Sequence, residues 1–74
     1  MDYKFNYQLL SRLQQDCEYF LNNGQRNTKH LWGMTVQNHI AEMYKQYNLL
    51  PEKPVWLTRE RILEYERQML QEEN

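Results

Sequence analysis

The sequence predicts an all-α fold, a small three-helix bundle, and three observations carry that prediction. Apolar residues recur at spacings of three and four in three separate segments, the signature of helices with one buried face. No segment alternates long enough to read as a strand: Tyr3, Phe5 and Tyr7 alternate, but over three positions at a terminus only. An apolar connector, Leu49–Leu57, divides the second helix from the third. Its two prolines, Pro51 and Pro54, set φ and cannot donate backbone hydrogen bonds, which predicts a stiff, extended path. It also carries Leu50, Val55, Trp56 and Leu57. Loops are normally polar, so this one is expected to pack on the core, across helices 1 and 2, with Trp56 buried.

The first helix is expected over residues 7–22. Leu9, Leu10, Leu13, Cys17, Phe20 and Leu21 lie along one face. Asn6 is placed as its N-cap, able to accept from the free amides of the first turn. Phe5 and Leu10 are spaced for a hydrophobic staple across that cap. Asn22-Asn23-Gly24 supplies the stop, since Asn and Gly tolerate the left-handed conformation found there.

The second helix is expected over residues 28–47, entered after Asn27 or Thr28. Trp32, Val36, Ile40, Met43, Tyr44 and Tyr47 form its apolar face. Gly33 costs it about 1 kcal/mol relative to Ala, or serves close helix approach. The third helix is expected over residues 59–71, capped by Thr58, with Glu60 in the first turn where negative charge suits the dipole. Ile62, Leu63, Tyr65, Met69 and Leu70 form its apolar face, and the chain is expected to fray from Gln71 onward.

Seventy-four residues amount to one domain, residues 1–74, and a domain so small buries roughly 60% of its unfolded surface. Cys17 is the only cysteine, so no internal disulfide can help. Two Trp, six Tyr and two Phe must supply the packing. The structural core is therefore assigned to Leu13, Cys17, Phe20, Trp32, Val36, Ile40, Met43, Leu50, Trp56, Ile62 and Met69.

Nothing in the pattern points to catalysis, and the expected protein is not an enzyme. Cys17 with His30 or His39 as base would make a nucleophile pair, but a thiol on the apolar face of a helix is inert core. Asp16, Glu18, Glu60, Glu64 and Glu66 alternate with arginines, which reads as a solvated face with spaced ion pairs. Cys17, His30 and His39 lack metal-ligand spacing, and no cofactor motif is present, so no metal and no cofactor are expected. Trp32, Trp56, Tyr44 and Tyr47 could form a stacking platform for bases, but in so small a chain they are expected in the core.

The net charge of −1, from nine basic and ten acidic residues, argues against a general polyanion binder but leaves room for a local patch. Arg26, Lys29 and His30, with Arg12, form the candidate anion or partner contact where helix 2 begins, because a helix N-terminus already favours anions. No apolar run approaches the length of a membrane span, and no apolar core follows Asp2-Tyr3-Lys4, so a cytoplasmic location with no membrane contact is expected.

Several strings look like one known family. Asp16-Cys17-Glu18-Tyr19-Phe20-Leu21 with Gly24, Lys29-His30-Leu31-Trp32, Ile40-Ala41-Glu42-Met43 and Leu50-Pro51-Glu52-Lys53-Pro54-Val55-Trp56-Leu57 resemble the small helical large polyvalent-protein-associated domains of conjugative elements and phages. The resemblance spans residues 7–69. It implies a non-enzymatic mobile-element protein and supplies no functional residues, since that family has no agreed active site. The leading expectation is a helical module that docks on a protein, with a counter-defence target (anti-CRISPR or anti-restriction) drawn from the family context alone. A small DNA-binding accessory protein, using Arg26, Lys29, His30 and Arg12, is the alternative.

Overall fold

A computed structural model describes residues 2–22 and 26–71. Three α-helices, α1 (Lys4–Asn22), α2 (Val36–Leu49) and α3 (Arg59–Leu70), pack as a three-helix bundle in which every pair is in contact. Two single 3₁₀ turns, Thr28–His30 and Trp32–Met34, lie between α1 and α2. The core is built from Leu10, Leu13, Cys17 and Phe20 of α1, Val36, Ile40 and Met43 of α2, and Ile62, Tyr65 and Met69 of α3. Leu31, Leu50 and Leu57 close it from the connections.

α1 begins earlier than its cap residues suggest. The Asp2 carboxylate accepts the Lys4 amide at 2.9 Å, and the Tyr3 carbonyl accepts the Tyr7 amide at 3.0 Å. Asn6 is therefore inside the helix, where its side chain donates to Gln46 Oε1 at 2.9 Å and ties α1 to α2. Phe5 is exposed, so the staple to Leu10 does not form. Asp2 and Asn6 are equivalent caps by chemistry, and the earlier one adds a helical turn. The expected stop at Asn23-Gly24 lies outside the described residues.

The largest departure is in the second helix. Residues 28–35 do not join it: Leu31 and Thr35 are extended, and between them Gly33 and Met34 have φ of 67° and 62°. Asn27 does cap a helical turn, accepting the Lys29 amide at 2.9 Å, but that turn ends at His30. The continuous helix starts only after Thr35, whose hydroxyl accepts the Asn38 amide at 3.0 Å. Gly33 thus serves a left-handed turn rather than helix approach. A β-carbon there would sit 2.7 Å from Cβ of Asn38.

The connector is pinned to the bundle, but by fewer of its apolar groups than expected. Leu50 and Leu57 are buried, whereas Val55 and Trp56 face solvent, Trp56 at 42% exposure. Polar contacts do the rest. Tyr7 donates from its hydroxyl to the Glu52 carbonyl at 2.6 Å, and Gln14 donates to the Trp56 carbonyl at 3.4 Å. Lys53 donates to the carbonyls of Tyr47 at 2.8 Å and Leu50 at 2.7 Å, placing a cation on the negative end of α2.

In α3, Thr58 accepts the Arg61 amide at 3.1 Å. The buried line is Ile62, Tyr65 and Met69, at spacings of three and four. Leu63 and Leu70 sit one residue beyond that line, about 100° around the helix, and are exposed. Tyr65 carries its polar end into the bundle: its hydroxyl donates to Glu18 and accepts from Gln14 at 3.2 Å.

Candidate functional site

The segment between α1 and α2 is where the sequence places its functional residues, and the fold divides them. Arg26 lies in the left-handed region (φ 59°) and is turned back into the molecule. Its Nη2 donates to the carbonyls of Gln68 at 3.0 Å, Met69 at 2.8 Å and Gln71 at 2.6 Å. The guanidinium also stacks 5.3 Å from the centre of the Phe20 ring. The Gln68 and Met69 carbonyls belong to the last turn of α3 and Gln71 is its C-cap, where the dipole is negative; Gln68 also accepts the Gln71 amide at 3.3 Å. Arg26 is a cap for α3.

Lys29 remains exposed on the first 3₁₀ turn. His30 faces α1, its ring edge-on to Tyr19 with centroids 5.4 Å apart. Arg12, Gln15, Asp16, Tyr19 and His30 line an open cleft of about 370 Å³. Arg12 is paired there with Asp16 at 3.5 Å, so the cleft already holds an anion of its own. The four expected contacts are therefore dispersed. Arg12 and His30 share a cleft, Lys29 stands apart, and Arg26 serves another helix.

Between them stands a feature the sequence reading did not assign. Trp32 and Met34 project from the second 3₁₀ turn, Trp32 at 47% exposure. The assignment of Trp32 and Trp56 to the core is thus corrected, while Leu13, Cys17, Phe20, Val36, Ile40, Met43, Leu50, Ile62 and Met69 are buried. The periodicity that put Trp32 on the α2 face holds only if the helix is unbroken, and the left-handed pair Gly33-Met34 turns the indole outward.

His39 anchors this turn from behind. The imidazole is fully buried. Its Nδ1 accepts the Trp32 amide at 2.8 Å, and its Nε2 donates to the Leu13 carbonyl at 2.9 Å. Accepting at Nδ1 and donating at Nε2 fixes the neutral Nε2–H tautomer. Burial lowers the pKa from its ordinary value, with the Leu13 hydrogen bond and the Asp16 charge opposing. Both ring nitrogens are committed to main-chain groups, so the ring works as a strut between α1 and the turn.

Cys17 is likewise committed. It is fully buried, its thiol donates to Met43 Sδ at 3.4 Å, and burial, with Asp16 and Glu18 adding to it, pushes its pKa up to about 12. Such a thiol carries almost no thiolate at neutral pH. Among the described residues, no three His, Cys, Asp or Glu side chains gather as metal ligands, and no helix is long and apolar enough to cross a membrane.

The fold and these surroundings define a small three-helix domain whose polar groups serve chiefly to hold the backbone. The family model for large polyvalent protein-associated domain 11 matches residues 3–69, and the chain belongs to that family. Membership points to a mobile-element-associated domain of unknown activity. No curated protein and no solved structure matches it.

Proposed function

We propose that this chain is a non-enzymatic docking module of a mobile genetic element, and that it binds a protein through the Trp32–Met34 turn. The supporting observation is the turn itself. Two large apolar side chains are held toward solvent on a backbone with two consecutive positive φ values, and a buried histidine braces it. A non-glycine residue in that region is costly, and such conformations cluster at active sites, ligand clamps and switch regions. Half-exposed Trp is also the residue type most enriched at interface hot spots.

The charge distribution favours a protein over nucleic acid. Arg26 and Lys53 are occupied by helix carbonyls, while Arg12, Arg61 and Arg67 are paired with Asp16, Glu18 and Glu64. DNA affinity rests on cations free to neutralise phosphates, and the candidate patch keeps few of them. A counter-defence role, with a CRISPR or restriction component as target, rests on the family context alone.

A pull-down from host lysate, run with nuclease, tests the reading. A host protein retained by the native chain and lost with Met34→Lys or Trp32→Ala supports it. Both positions are exposed, so circular dichroism should show an unchanged fold. Retention of nucleic acid alone, abolished by nuclease, contradicts it.

A further inference from the structure

The outward face of α3 carries a second unassigned feature. Leu63 and Leu70 are 58% and 46% exposed. They are seven residues apart, so they point within about 20° of each other. With Glu60, Glu64, Glu66 and Arg67 they line an open groove of about 420 Å³. Arg67 is held along this face by Glu64, to which its Nε donates at 3.2 Å.

Two properties of this face identify what fits it. The helix is electrically balanced, with Arg59, Arg61 and Arg67 against Glu60, Glu64 and Glu66, so two copies bring no net repulsion. The order of groups is also self-complementary on reversal. An antiparallel second copy, related by a two-fold axis passing between positions 66 and 67, sets each Leu63 against Leu70 of the other chain. The same operation sets each Glu66 against Arg67 of the other chain. A two-fold contact requires this reciprocity, residue i on j and j on i.

We propose that α3 pairs with α3 of a second copy of this chain, antiparallel, through Leu63, Glu66, Arg67 and Leu70. The guanidinium fork of Arg67 can bridge its own Glu64 and the opposing Glu66. Two half-exposed leucines per copy make a patch well below the size of a permanent interface, so the dimer is weak and reversible, with a dissociation constant on the order of 0.1–1 mM. The inference is independent of the docking reading, which uses the turn before α2.

Sedimentation equilibrium from about 10 μM to about 1 mM reads it, the range that brackets such an affinity. The native chain should rise from monomer toward dimer mass. Leu63→Lys should remain monomeric, with circular dichroism confirming that it folds. Glu66→Arg alone and Arg67→Glu alone should each lose association, because like charges then face one another across the axis. An equimolar mixture of these two variants should regain it, since the Glu66→Arg chain faces the Arg67→Glu chain with opposite charges at both positions. A native chain that stays monomeric over the whole range overturns the proposal. So does association that survives Leu63→Lys, or a mixture no more associated than its components.

Discussion

The Arg26 guanidinium lies 2.8 Å from the carbonyl of Met69, 43 residues later in the chain. One side chain from the segment after α1 thereby closes the last turn of α3. Removing it leaves carbonyls of Gln68, Met69 and Gln71 without that donor. Arg26→Ala should cost about 2 kcal/mol, the range for hydrogen bonds to a charged group reinforced by a helix dipole. In a domain of this size each kcal/mol moves the melting temperature by about 4–8 °C. Arg26→Lys should recover only part of the loss, because an ammonium lacks the guanidinium's planar stacking on Phe20. A thermal melt of Arg26→Ala indistinguishable from the native one would remove the cap from the account.

His39 gives the stability a pH dependence with a definite sign. Its folded pKa lies below its ordinary 6.5, because burial disfavours the imidazolium. Between those two values the unfolded chain binds the extra proton and the folded chain does not. Its contribution is therefore fully present above about pH 6.5 and declines as pH falls toward the folded value. Urea midpoints at pH 7.5 and 5.5 should differ in that direction. Ring ¹⁵N shifts at pH 7 should report the Nε2–H tautomer that accepts the Trp32 amide.

Cys17 should react slowly with a thiol reagent in the native protein and rapidly in denaturant, because both burial and a pKa of about 12 withhold the thiolate. Fast native labelling would mean that the α1–α2 contact opens readily.

The two sides of the connector should respond differently to truncation. Leu57 is buried, and Leu57→Ala should cost about 2–5 kcal/mol. Trp56 is 42% exposed, and Trp56→Ala should cost less than Leu57→Ala despite removing a larger side chain. Denaturant melts of the pair decide the order.

Much of this fold is legible because its core follows simple periods. Leu13, Cys17 and Phe20 on α1 and Ile62 and Met69 on α3 fall at helical spacing, and Thr58 announces its helix chemically. The departure at the start of α2 has a clear cause. A period of 3.6 is assumed to run on until something stops it, and at Gly33-Met34 the stop is a pair of left-handed residues, one of them a methionine. A second cap, Thr35, was present in the sequence and marks the true start of α2. Leu63 and Leu70 fall outside the buried line for another reason: a stripe of five apolar residues is wider than the face α3 buries. The duties of Arg26 and His39 were not legible at all. Each depends on a partner carbonyl or amide whose position exists only after the chain has folded.

The central claim is that Arg26 serves the fold and that the turn before α2 presents the apolar Trp32 and Met34. A fluorescence-anisotropy titration with a labelled duplex and a labelled single strand tests it most directly. The account predicts no affinity tighter than about 10⁻⁴ M at physiological salt, the weak end of non-specific binding. Sub-micromolar binding to either strand form, weakening steeply as salt rises, would contradict it and restore Lys29, His30 and Arg12 as a nucleic-acid site.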